Sequence, residues 1–230
     1  MSKIQPMKLI TNTKGRFPTG KVRIGWYDPD LICQECEGKF ASYDNYVPTL
    51  LLQNETNHKL IVIDNETRGW EILEFNYEKL KLFAISILWR TGASQLPQFR
   101  KIKFGVNLEK ARQNILINNS GDENNFPFVV ARFPDDIGQS FILDPHPETD
   151  TGIFAGLDIF RFYLGAGYIL YINTGTKPFP HPTSLFVVSK NKPLRILARQ
   201  NFTKSGEFRA LKKVVNDASK RLYAIKFRGG

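Results

Sequence analysis

The sequence predicts an α+β fold with a buried central helix and a largely antiparallel C-terminal sheet. Three observations predict it. Helical patterns concentrate in the first half, the strongest helix at 77–90 is apolar on nearly every side from Leu82 to Trp89, and residues 128–197 hold short apolar runs separated by Gly and Pro turns. A helix that is hydrophobic all round belongs in a core, so 77–90 is the expected central element.

The elements follow in order. Residues 21–27 (KVRIGWY) read as a short strand closed by Asp28-Pro29-Asp30, and residues 33–36 as a tight turn. Residues 40–52 read as a helix with Tyr43, Tyr46, Val47, Leu50 and Leu51 on one face, against which Pro48 argues. Residues 60–63 and 70–75 read as a strand pair around 64–69. Asn107 is placed to cap an amphipathic helix running through Leu116. The expected strands beyond it are FVVARF, IFRFYL, YILYI, LFVV and LRIL, an antiparallel meander. Ser205-Gly-Glu-Phe then opens a basic amphipathic helix to about Leu222. Phe208, Leu211, Val215 and Ala218 form its inner stripe, and Arg209, Lys212, Lys213 and Lys220 lie elsewhere on its surface.

At 230 residues the chain is long enough for one large domain or two small ones. No apolar run approaches membrane-spanning length, and the first residues lack a signal-peptide core, which predicts a cytoplasmic protein without a membrane partner. Two cysteines cannot build a disulfide framework.

The net charge of +10 is unevenly spread. Residues 1–26 carry +6 without an acid, residues 187–230 carry +10, and the stretch between carries −6. Two basic ends around an acidic middle suggest a polyanion-binding face assembled from both termini, since Lys and Arg beside phosphates release condensed counterions. The competing reading is solvated surface that serves solubility.

Cys33 and Cys36 have the spacing of a zinc knuckle, with His58, His146 and His181 the only histidines available to complete a four-ligand set. The same C-x-x-C also reads as a redox pair, or as two reduced cysteines in a turn. Asp144, His146, Glu148 and Asp150 could bind a divalent ion or do acid–base work, and with two prolines they also describe a plain turn. Arg90, at the end of the apolar helix, reads as a cap, a structural ion pair or an arm reaching a phosphate. Neither a dinucleotide fingerprint nor a P-loop is present.

Four stretches together resemble bacterial HNH-endonuclease-like proteins. They are 25–37 (GWYDPDLICQECE), 43–46 (YDNY), 77–91 (YEKLKLFAISILWRT) and 121–127 (GDENNFP), and the similarity covers roughly residues 1–130. The resemblance implies a treble-clef-like element over 1–56, followed by an α+β body over 57–230. It also implies a second, upstream C-x-x-C completing a zinc site, and a Ser-His-Ile-Ile-Pro-like element whose histidine is the general base. Here Ser2-Lys3-Ile4-Gln5-Pro6 falls on that element, with Lys3 in place of the histidine, and the upstream cysteines are missing. A protonated lysine cannot take a proton from water. The departure points to a degenerate, non-cleaving relative, or else to a start that lies upstream.

The leading expectation is therefore nucleic-acid binding on a decayed HNH-like scaffold, in the bacterial or phage conflict setting that the resemblance implies. DNA or RNA backbone would meet Lys3, Lys8, Arg16 and Arg23 at one end and Arg209, Lys212, Lys213 and Arg221 at the other. One alternative is a metal-dependent endonuclease with a rearranged or truncated site, using Asp144, His146, Glu148 or Asp150 as ligands. Another is a protein-interaction module whose aromatic strands (Phe154, Phe160, Phe162, Tyr163, Tyr168, Tyr171) dock a partner.

Overall fold

The computed structural model describes residues 28, 30–53, 55–96, 99, 102–139, 143–148, 152–213 and 216. The chain divides into two units, residues 30–201 and a second that joins 1–29 with 202–230. The expected strand over 21–27 lies outside the described residues.

The larger unit is a mixed α+β body. Its first helix, α1 (Gln34–Asp44), begins where a tight turn was expected. Cys33 has extended backbone at the N-cap, and its sulfur accepts from the Cys36 amide at 3.4 Å. A thiol thus occupies the position usually held by Ser, Thr, Asp or Asn, which hides the helix start from the sequence. After Asn45 the chain continues through the short α2 (Tyr46–Pro48) and a π-helical turn, Thr49–Gln53, that buries Leu50 and Leu51. The single helix expected over 40–52 is therefore broken, near the proline that argued against it.

The hairpin of β1 (Lys59–Ile63) and β2 (Glu66–Ile72) is tighter than its sequence suggests. Asp64 and Asn65 turn it with φ of 53° and 59°, the left-handed pair of a type I′ turn that Asp and Asn tolerate. The second strand therefore starts at Glu66 and not at residue 70. Gly69 is required where β2 meets its next neighbour, because a Cβ there would sit 2.3 Å from the Ile196 carbonyl oxygen.

The central helix α3 (Tyr77–Ala93) is capped by Asn76, whose side chain accepts from the Lys79 amide at 2.9 Å. It buries Leu80, Ala84, Ile85 and Leu88 completely or nearly so, as its all-round apolarity requires. In α4 (Val106–Leu116) the N-cap is Gly105, not Asn107. The Asn107 side chain instead donates from Nδ2 to the Thr174 carbonyl at 3.0 Å.

The second half supplies β3 (Phe128–Arg132), the short α5 (Asp136–Gln139), β4 (His146–Pro147), β5 (Ile159–Gly165), β6 (Tyr168–Asn173) and β7 (Leu194–Ala198). With the hairpin they make one seven-stranded sheet in the order β1-β2-β7-β3-β6-β5-β4. All its pairs are antiparallel except β3 with β7. It is not a meander, because the last strand enters between β2 and β3. The expected LFVV strand is mostly a 3₁₀ turn, Thr183–Phe186. Val187 makes a single bridge to Val129, beside the stretch of β3 that β7 does not cover.

Register explains the core. Trp70, Ile196, Val130, Leu170 and Phe162 pair in one row across five strands, on the face that packs with α3 in the main hydrophobic cluster. On the other face, the Phe154 ring packs tilted against Tyr171 at 5.1 Å and edge-on against Phe179 at 5.9 Å. Strands buried on both faces carry continuous apolar runs in place of alternation, and all six residues of β6 are buried. Phe154, Phe160, Phe162, Tyr168 and Tyr171 belong to this interior, and Tyr163 is half-buried. They do not form the docking surface of the interaction-module reading.

Candidate functional site

The smaller unit holds the described part of the cationic surface. A 3₁₀ turn, Phe202–Lys204, leads to a helix described over 206–213. Ser205 starts it: its hydroxyl accepts from the Phe208 amide at 3.1 Å and donates to the Phe202 carbonyl at 2.6 Å. The Phe202 and Phe208 rings meet edge-on at 5.9 Å. Glu207 is buried and Phe208 and Leu211 are half-buried, whereas Arg209, Lys212 and Lys213 are exposed. The three cations sit at i, i+3 and i+4, so they share one helix face. Lys3, Lys8, Arg16, Arg23 and Arg221 lie outside the described residues, as do Val215 and Ala218 of the expected inner stripe.

The division of the chain sharpens the charge pattern. Residues 1–29 and 202–230 together carry 14 Lys and Arg against Asp28, Glu207 and Asp217, a net +11. Residues 30–201 carry 18 basic against 19 acidic residues, a net −1. The whole excess of positive charge therefore belongs to one unit.

Cys33 and Cys36 occupy the N-cap and first turn of α1, both with free thiols. The Cys36 amide and then the Cys36 thiol donate to the Cys33 sulfur, which lowers the pKa of Cys33 and raises that of Cys36. Among the described residues no three His, Cys, Asp or Glu side chains are grouped to hold a metal ion. His58 instead places Nε2 3.2 Å from the Leu50 carbonyl, and His146 lies on β4.

Around His146 the polar groups turn to one another. Glu148 forms an ion pair with Arg161, both largely buried, and His146 Nε2 lies 3.4 Å from the same carboxylate. Its other ring nitrogen is 3.0 Å from the Asp144 carbonyl, and its ring stacks on Tyr163 at 6.2 Å. The β4–β5 register sets Arg161 opposite His146, which builds this cluster into the sheet edge. Asp150 lies outside the described residues.

Arg90 resolves to a structural role. Its guanidinium donates to both carboxylate oxygens of Asp44, at 2.7 and 2.8 Å, and to Ser86 Oγ at 3.0 Å, above the Phe40 ring.

One cluster was not anticipated from the sequence. Lys81, inside the apolar helix, is fully buried, and its ammonium donates to the Asp122 carbonyl at 2.6 Å. Burial lowers its pKa to about 8, against the attraction of Glu123, Glu78 and Asp122. Glu78 accepts from the Ser120 amide and pairs with Lys190 at 3.0 Å. The one signal was a lysine on a helix whose neighbouring positions are apolar, which demands a buried acceptor.

No helix among the described residues is long and apolar enough to cross a membrane. Compared with known proteins, the chain matches no family model, no curated protein and no solved structure.

Proposed function

We propose that this protein binds nucleic acid, DNA or RNA, through the phosphate backbone, using the cationic unit made of its two chain ends and without cleaving the strand. The observation that carries the proposal is the partition of charge: +11 on residues 1–29 with 202–230, and −1 on the body. Charge kept for solubility alone has no reason to segregate in this way, whereas a backbone-binding surface needs clustered cations. Arg209, Lys212 and Lys213, exposed on one helix face, are the described members of that surface.

The resemblance to HNH-endonuclease-like proteins enters here as ancestry of the scaffold. Three of the four stretches that carry it meet at α3: Arg90 bonds Asp44, Lys81 bonds the Asp122 carbonyl, and the Tyr46 hydroxyl accepts from the backbone amide of the Asn76 cap at 2.6 Å. These contacts hold helices and loops together, which supports a structural role for the shared residues. Lys3 in place of a histidine general base supports the absence of cleavage.

The test is a fluorescence anisotropy titration of a labelled duplex with the wild-type chain and the Arg209→Ala/Lys212→Ala/Lys213→Ala variant. Loss of three phosphate contacts should flatten the plot of log affinity against log salt by about 2–3. An unchanged slope removes this helix from the interface. Cleavage of the duplex in added magnesium or manganese would overturn the non-cleaving assignment.

A further inference from the structure

Among the described residues the sheet has two outer strands, and they are built differently. At one edge, β4 is two residues long and one of them is Pro147, which has no N–H to offer a neighbour. At the other edge, β1 has five residues, four of them apolar, with Lys59 as its one charge and no proline. Leu60, Val62 and Ile63 are 62%, 54% and 54% exposed, and Leu73, just past β2, is 52% exposed.

Exposed edge strands are ordinarily blunted by lysines, prolines or bulges, because their unpaired N–H and C=O groups template pairing with another chain. The bulge in this hairpin does not blunt β1. Its register runs Ile61↔Gly69 and then Val62↔Thr67, so the extra residue, Arg68, belongs to β2 and the outer edge of β1 continues without interruption. A groove of about 350 Å³ lies at the start of the strand, where Leu50, Ile72 and Leu73 meet the polar Thr56, Asn57, Lys59 and Glu74.

We propose that β1 is a self-association edge, at which two copies of this chain pair antiparallel, β1 against β1, and continue the sheet across a two-fold axis. Symmetry restricts the register to one in which a residue faces its own counterpart. Centred on Ile61, that register sets Leu60 opposite Val62 of the second copy and Lys59 opposite Ile63. Charge favours the second copy as occupant, and favours the antiparallel sense. Lys59 starts the strand while Asp64 follows its end, so antiparallel pairing brings the basic end of each strand toward Asp64 of its mate; Glu66 is held by Arg68 of its own chain at 2.7 Å. A parallel pairing would set like charges together. This inference is independent of nucleic-acid binding.

The test is sedimentation of the full chain over a range of concentrations, for wild type, Leu60→Lys/Val62→Lys and Leu60→Glu/Val62→Glu. Wild type should move from the 26.4 kDa monomer to twice that mass as concentration rises. Each doubly substituted chain loses two apolar pairs and gains two like-charged ones, which should weaken the dimer at least about tenfold. Mixing the two variants should restore a heterodimer, because the new lysines then face the new glutamates. That rescue separates a lost interface from a damaged fold. A wild-type chain that stays monomeric throughout, or a dimer that both substitutions leave untouched, overturns the proposal. The monomer result would leave this edge to an extended segment of another protein.

Discussion

Arg90 and Asp44 tie the central helix to the first one, with one guanidinium nitrogen within 2.8 Å of both carboxylate oxygens and the Phe40 ring 4.6 Å below. From sequence, the arginine read first as a cap or a structural ion pair and, as the alternative, as an arm toward a phosphate. The geometry commits its Nη2 to Asp44 and Ser86. Replacing either partner leaves the other partly buried and unpaired, so Arg90→Met and Asp44→Asn should each destabilise the fold by about 1–3 kcal/mol. Urea denaturation should show the double substitution costing less than the sum of the two. Affinity for a duplex should stay unchanged in all three. A loss of affinity with stability intact would place Arg90 on the phosphate.

The buried lysine gives a pH dependence of determined sign. Lys81 titrates near pH 8 in the folded chain and at about 10.4 when unfolded. Between those values the unfolded state holds a proton that the folded state has released, so this group adds stability as pH rises. The wild type should gain about 2–3 kcal/mol relative to Lys81→Met between about pH 7.5 and 10.5. Taking the difference between the two proteins removes the titration that they share. A difference that stays constant with pH would mean that the ammonium is not desolvated.

The two thiols should be unequal. Hydrogen bonds from Cys36 lower the pKa of Cys33, and donation to Cys33 raises that of Cys36. The thiolate is the reactive form, so limited alkylation with iodoacetamide near neutral pH should mark Cys33 first. Peptide mass spectrometry reads the order directly. Preferential labelling of Cys36 would contradict the capping geometry at the start of α1.

What the sequence disclosed, and what it withheld, follows physical lines. Helix α3 and strands β3, β5 and β6 were readable because long apolar runs have few alternatives to burial. The turn at Asp64-Asn65 lay inside a loop whose limits were set too wide, since both residues also suit an ordinary turn. Cys33 concealed a helix start because a thiol is a rare cap. Val187 and Val188 looked like part of a strand, but only one bridge to Val129 remained open beside β3. Strand order was out of reach, since the insertion of β7 between β2 and β3 depends on the close approach that Gly69 permits. At the candidate site, the clustering of charge was visible from residue counts. A structural ion pair was among the readings for Arg90, but the identity of its partner, and of the partners of Lys81 and Glu148, was not visible, because each lies on another element of the chain.

The central claim is that the cationic chain ends bind a nucleic-acid backbone. The measurement that tests it most directly is the affinity of the wild-type chain for two duplexes of unrelated sequence, by anisotropy, as salt is raised from about 50 to 200 mM. A surface engaging at least three phosphates predicts a log–log slope steeper than about −2.7, with the two sequences matching within a few-fold. Absence of binding at the lowest salt, or an affinity indifferent to salt, would contradict the account.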